Sequence, residues 1–160
     1  MIAAIDTNVL LDILIPDETY LPSSKKVLDE YFGSGQLIIS EIVYAELASQ
    51  FPSHKELMDF FADTHIRLIH SNEKTLHLAG ERWKLYVKKR KLQLQCPQCG
   101  HEQAVICPEC HYPIAIRNRI LGDFIIGAHA LVNADLLLSR DRGFYRTYFK
   151  DLGLGESVRN

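Results

Sequence analysis

Four short apolar runs limit the folds open to this chain: Ile2 to Asp6, Leu37 to Ser40, Ile66 to Ile69 and Leu136 to Ser139. Most lack the alternation of a strand with one wet face, so they fit a parallel sheet covered on both sides. Segments with helical spacing separate them: Ser24 to Phe32, Glu41 to Gln50, Lys55 to Ala62, Glu73 to Lys91, and a stretch around Ile120 to Val132. In the longest, Leu76, Ala79, Trp83 and Tyr86 make an apolar stripe, with Lys84, Lys88 and Lys91 on another face. Strands alternating with helices predict a three-layer α/β/α domain around a parallel sheet of about four to five strands. At 160 residues, 47% of them apolar, the core needs no disulfide to hold it. No internal repeat or low-complexity tract interrupts the pattern.

Eighteen Lys and Arg against twenty Asp and Glu leave a formal charge of −2, which excludes a globally basic nucleic-acid binder but not a local basic patch. No apolar run approaches the ~18 residues of a membrane span. The start, Met1-Ile2-Ala3-Ala4-Ile5-Asp6, lacks the positive flank of a secretion signal, and a cytoplasmic protein with no membrane association is expected.

All four cysteines fall within Cys96-Pro97-Gln98-Cys99 and Cys107-Pro108-Glu109-Cys110. Two C-x2-C pairs read as a four-thiolate zinc site, with a tight turn in each pair swinging the second sulfur toward the same ion. Gly100 supports such a turn. Two disulfides are the bland reading, which a cytoplasmic setting opposes. A redox site needs one pair rather than two, and iron is the competing metal. With no open coordination position, the metal would staple residues 94–112 as an insertion in a domain formed by residues 1–93 and 113–150, followed by a tail of residues 151–160.

Ligands of an open parallel sheet gather at the carboxyl ends of its strands. Asp6 ends the first run, and Asp141 follows the last. Glu46 shares the face of Ile42 and Val43, and Asp123 opens a helix whose same face carries the small residues Gly127 and Ala130. Several buried carboxylates meeting at one point are best explained by a divalent cation, because burial otherwise drives them to protonate. Each has a bland alternative. Asp6, Asp123 and Asp141 fit helix caps, and Glu46 fits a surface position on a helix phased one residue differently. Asp12, Asp17 and Glu41 read as solvated acids.

These residues carry a resemblance. Asp6-Thr7-Asn8, the segment Ser40-Glu41-Ile42-Val43-Tyr44-Ala45-Glu46-Leu47, the segment Asp123-Phe124-Ile125-Ile126-Gly127-Ala128-His129-Ala130 and Ser139-Arg140-Asp141-Arg142-Gly143-Phe144 resemble, in order, the four motifs of PIN-domain nucleases. The length is similar to that of VapC-type toxins of toxin–antitoxin pairs. The cysteine insertion departs from the compact form, and the tail after Lys150 does not read clearly as a final strand. The resemblance implies a metal-dependent endoribonuclease with one or two Mg²⁺ or Mn²⁺ ions. Asp6, Asp123 and Asp141 would be ligands, Glu46 a ligand or water positioner, and Thr7, Asn8 and Ser139 hydrogen-bonders that orient them. For these last three, helix capping is an equally good reading.

Lys88, Lys89, Arg90 and Lys91 lead into the cysteine segment, Arg117 and Arg119 lead out of it, and Arg140, Arg142 and Arg146 flank the fourth acid. They are candidates for phosphate contact, against the ordinary fate of a solvated face. His101, His111 and Tyr112 are candidates for stacking on bases. Implied partners are RNA, an antitoxin or a ribosomal protein, and a second copy in a homodimer. An RNA-maturation nuclease is one alternative, and a non-catalytic RNA- or protein-binding module using the zinc loop is another. A haloacid-dehalogenase-like phosphatase needs an acid two residues after the first, where this chain has Asn8.

Overall fold

Ala3, Ala4, Ile5, Ile38, Ile39, Leu137 and Leu138 are at most 2% exposed, as strands covered on both faces must be. The computed structural model describes residues 1–15, 18–33, 35–89, 94–95, 102–114 and 121–155. The chain runs β1 (Ile2–Ile5), α1 (Thr7–Leu14), α2 (Leu21–Phe32), β2 (Gln36–Ile39), α3 (Glu41–Ala48), α4 (His54–Thr64), β3 (Arg67–Leu68) and α5 (Glu73–Lys89). Four two-residue strands follow: β4 (Leu94–Gln95), β5 (Glu102–Gln103), β6 (Val105–Ile106) and β7 (Pro113–Ile114). The body resumes with α6 (Leu121–Asn133), β8 (Leu136–Leu138) and α7 (Arg142–Tyr148).

The main sheet has the order β3-β2-β1-β8, all parallel, with Ala4 facing Ile38 on one side and Leu137 on the other. From β1 the chain steps outward to β2 and β3, and only later returns on the other side as β8. The reversal lies between β1 and β8, the place where ligands collect in such sheets. The tail adds a single parallel bridge, Leu154 to Leu137, rather than a strand. Two antiparallel ladders, β4–β5 and β6–β7, lie apart from the main sheet.

Several elements begin or end away from their sequence expectation. Helix α2 starts at Leu21 because Pro22 sits in its first turn, where a missing N–H costs nothing. Helix α4 is bounded by Ser53, whose Oγ accepts from Glu56 N and donates to its carboxylate, and by His65 in the left-handed region. On α5 the buried stripe runs through Thr75, Ala79 and Tyr86; Leu76 is exposed, correcting the expected phase. The expected end of that helix at Lys91 lies outside the described residues. Trp83 and Tyr86 pack with α6 through Phe124, whose ring meets Phe144 at 5.0 Å and Tyr148 at 5.4 Å. Among the described residues, no helix is long and apolar enough to cross a membrane.

Candidate active site

Four elements deliver one acid each to a single cavity of about 430 Å³ at the carboxyl edge of the sheet, and the lining includes Asp6, Glu46, Asp123 and Asp141. Asp6 follows β1, Glu46 projects from α3, Asp123 stands in the first turn of α6, and Asp141 follows β8. As placed, they surround the cavity without closing into a shell: among the described residues, no group of three or more His, Cys, Asp and Glu is set to hold a metal ion. The donor set is nevertheless all oxygen, which suits a hard cation such as Mg²⁺ or Mn²⁺ rather than a thiophilic one.

Asp6 is the most constrained of the four. It occupies the cap position of α1, yet its side chain caps nothing there, so the capping alternative fails for it. Its backbone N–H extends the ladder to Leu138 O at 2.9 Å. One oxygen, Oδ2, accepts from Ser139 Oγ at 2.6 Å, Asn8 Nδ2 at 2.7 Å and Tyr145 Oη at 3.2 Å. None of the three engages Oδ1. Burial pushes the carboxyl above the usual aspartate range, the hydrogen bonds from Ser139 and Tyr145 pull it back, and the charge of Asp123 pushes it up again. The outcome is a net rise.

Asn8 and Ser139 both donate to Asp6. Asn8 also donates to Ser139 Oγ at 3.3 Å and accepts from Arg140 N at 3.1 Å, tying the ends of β1 and β8 together. Thr7 donates to the carboxylate of Glu46, fixing an acid that is only half-buried on α3. For Asp141 the capping alternative does hold, since Oδ1 accepts from Phe144 N at 3.3 Å at the start of α7.

Three residues were misread or missed. Asp12, expected to be solvated, is 3% exposed, accepts from Ser24 Oγ at 2.6 Å and forms an ion pair with Arg140, whose Nε lies 3.1 Å away. Glu41, also expected to be solvated, accepts from Ser71 N at 3.0 Å and Ser71 Oγ at 3.1 Å. Burial pushes it up, but these and a backbone hydrogen bond of its own outweigh that and hold it below the usual range. Tyr145 lines the cavity, and burial together with the charges of Asp6, Asp123 and Asp141 lifts its phenol well above its ordinary value, so it stays a proton donor. Its spacing of one helical turn after Asp141 was the available signal. His129, inside the third motif, is buried and donates from Nε2 to Ile69 O at 2.8 Å, with burial pushing its pKa down; it braces α6 against the end of β3.

Of the basic candidates, Arg140 lines the cavity, Arg142 donates to Gly155 O at 2.9 Å, and Arg146, Lys88 and Lys89 are exposed. Asp17, Arg90, Lys91, Cys96, Cys99, His101, Arg117 and Arg119 lie outside the described residues. Cys107 and Cys110 stand on the β6–β7 turn, where Cys107 N donates to Tyr112 O and His111 N to Cys107 O, both at 2.9 Å. The Cys107 sulfur accepts from the backbone N–H groups of Cys110 and Glu109, which hold the thiol below its ordinary pKa.

Among solved structures, VapBC2 from Rickettsia felis bound to a DNA fragment from its promoter is similar at a TM-score of 0.59 and 21% identity, over 96% of this chain and 97% of that one. VapBC-1 from nontypeable Haemophilus influenzae is similar at 0.59 and 19%, over 99% and 100%. At such identity the likeness is one of fold. No curated protein matches. The PIN domain model, by contrast, matches residues 3–150, a span that holds all four acids and both cysteine pairs. The chain belongs to the PIN domain family.

Proposed function

We propose that the protein is a metal-dependent endoribonuclease that hydrolyses phosphodiester bonds of RNA, and that it acts as the toxin of a toxin–antitoxin pair. The observation that carries the reading is the delivery of four acids, from four separate elements, to one cavity at the reversal point of the sheet. Asp6, Asp123 and Asp141, with Glu46, would hold Mg²⁺ or Mn²⁺. When bound, the metal supplies a water of lowered pKa and a counter-charge for the phosphate. The chain's own work is positional. Ser139, Asn8 and Tyr145 fix Asp6 through Oδ2, and Thr7 fixes Glu46. Arg140 stands at the rim, where a phosphate backbone would pass.

The toxin reading draws on the likeness in fold to two VapBC proteins, and it brings an antitoxin and a second copy of the chain as partners. Zinc held by Cys96, Cys99, Cys107 and Cys110 would staple the insertion. The support is local: Cys107 and Cys110 stand together on the β6–β7 turn, as one pair of a two-pair site needs.

Cleavage of a single-stranded RNA with Mn²⁺ or Mg²⁺ tests the reading. Asp6→Asn and Asp123→Asn should each lower the rate by at least about a hundredfold, given what removing a ligand or its orienting partner costs in metal sites, with little loss of melting temperature. Undiminished cleavage by both variants ends the assignment.

A further inference from the structure

A second cavity, of about 250 Å³, shares Arg140 with the cavity that holds the acids. Tyr20, Ser23 and Val27, from α2 and the residue before it, line it together with Ser139, Arg140 and Arg142, which follow β8. Arg140 lines both cavities and is held from three directions. Its Nε lies 3.1 Å from the buried carboxylate of Asp12, its guanidinium carbon sits 4.1 Å from the centre of the Tyr20 ring, and its backbone N–H is bound to Asn8. The closest approach of Asp12 is to Nε, and no hydrogen bond among the described residues uses the two terminal nitrogens of the fork. A planar cation stacked on a tyrosine, with its outer donors available, is the combination that single-stranded nucleic acids use for phosphate contact and base stacking.

We infer that this cavity is the subsite for the nucleoside next to the cleaved phosphodiester. With that phosphate among the acids, the adjoining phosphate meets the Arg140 fork, and the unstacked base enters the second cavity against the Tyr20–Arg140 platform. The volume falls just under the ~300–1,000 Å³ of drug-sized sites and suits a single ring system. The substrate is therefore single-stranded at this step, since a paired base cannot leave its stack to enter. Asp12 is a positioning residue, setting Arg140 on the wall between the cavities. The inference rests on the nuclease reading of the acid cavity.

Binding and cleavage are measured on the full-length protein. A fluorescein-labelled single-stranded hexaribonucleotide is titrated by anisotropy in a metal-free, low-salt buffer. Cleavage of the same hexamer and of a dinucleotide is followed with Mn²⁺. Ser23→Trp, which fills the cavity, and Tyr20→Ala, at a ring already 41% exposed, should each weaken hexamer binding about tenfold, the scale of one lost base stack. KM for the hexamer should rise in step, as should KM for the dinucleotide, which carries the same nucleoside beside its scissile bond, with kcat within about twofold. Wild-type affinity in a folded Tyr20→Ala variant overturns the subsite, as it would if the cavity serves a protein segment instead. Should Ser23→Trp misfold, Tyr20→Ala decides alone. A wild-type chain that binds the hexamer through Tyr20 but cleaves nothing keeps the subsite and defeats the nuclease reading. Cleavage with both variants unaffected does the reverse, and a wild-type chain that neither binds nor cleaves defeats both.

Discussion

Asp6 concentrates the opposing forces of the site in one side chain. Burial and the neighbouring Asp123 favour its protonated form, while three donors on Oδ2 favour the charged one, and the balance raises its pKa. A carboxyl whose pKa is higher in the folded state than in the unfolded one binds more protons when folded, within the window between the two values. Stability contributed by that proton is complete below the ordinary aspartate range and is lost as pH rises through the raised value. Thermal melts of the metal-free protein from pH 4 upward should show this decline, and Asp6→Asn should flatten it. An identical slope in the variant would show that Asp6 is not the titrating group. Its position was legible because an acid at the end of a doubly buried strand has few places to go. Asp12 was not, because the arginine that pairs with it arrives from the far end of the chain, a fact no local pattern encodes. Tyr145 hid for another reason: its ring belongs to the core, and only its hydroxyl reaches the site.

At the level of elements, α6 sets the reach of Asp123 and owes its seat to one missing side chain. A Cβ at Gly127 would lie 2.7 Å from Cε2 of Phe149, a ring 1% exposed and unable to retreat. Gly127→Ala should therefore cost about 1–3 kcal/mol of stability, the usual penalty for overpacking, despite the better helix propensity of alanine. Denaturant unfolding checks this, and an unchanged midpoint would mean that Phe149 has room to turn. The β6–β7 turn makes its own prediction. Elemental analysis of the purified protein should find one zinc per chain, lost in Cys107→Ser; a metal-free protein, or a variant with full zinc, would remove the staple. The strands and most helices were readable from apolar spacing, because burial on two faces leaves a continuous run and burial on one leaves a stripe. The short ladders between α5 and α6 were not, since two-residue strands such as β6 and β7 carry too little pattern. Leu76 alone leaves the expected stripe of α5, because Thr75, whose hydroxyl is bound to Asn72 Oδ1, is 0% exposed and takes the inward position that an apolar Leu76 seemed to claim.

Across the whole molecule, the two flanks of the main sheet are finished differently. On one side β3 is only two residues long and begins with an exposed arginine, Arg67. On the other, Leu137 N donates to Gly153 O at 2.8 Å and Gly155 N donates to Leu137 O at 3.0 Å, so the tail covers the open side of β8 without becoming a strand. A bare strand flank is a template on which another polypeptide can zip itself by main-chain bonds. Deleting residues 153–160 should therefore convert a well-behaved chain into one that self-associates with concentration, visible by light scattering and as added β signal in infrared spectra. Unaltered behaviour would mean that β8 is too short to recruit a neighbour. Seen this way, those few residues near the chain's close serve as a hem, and trimming them for crystallisation or fusion would fray the cloth.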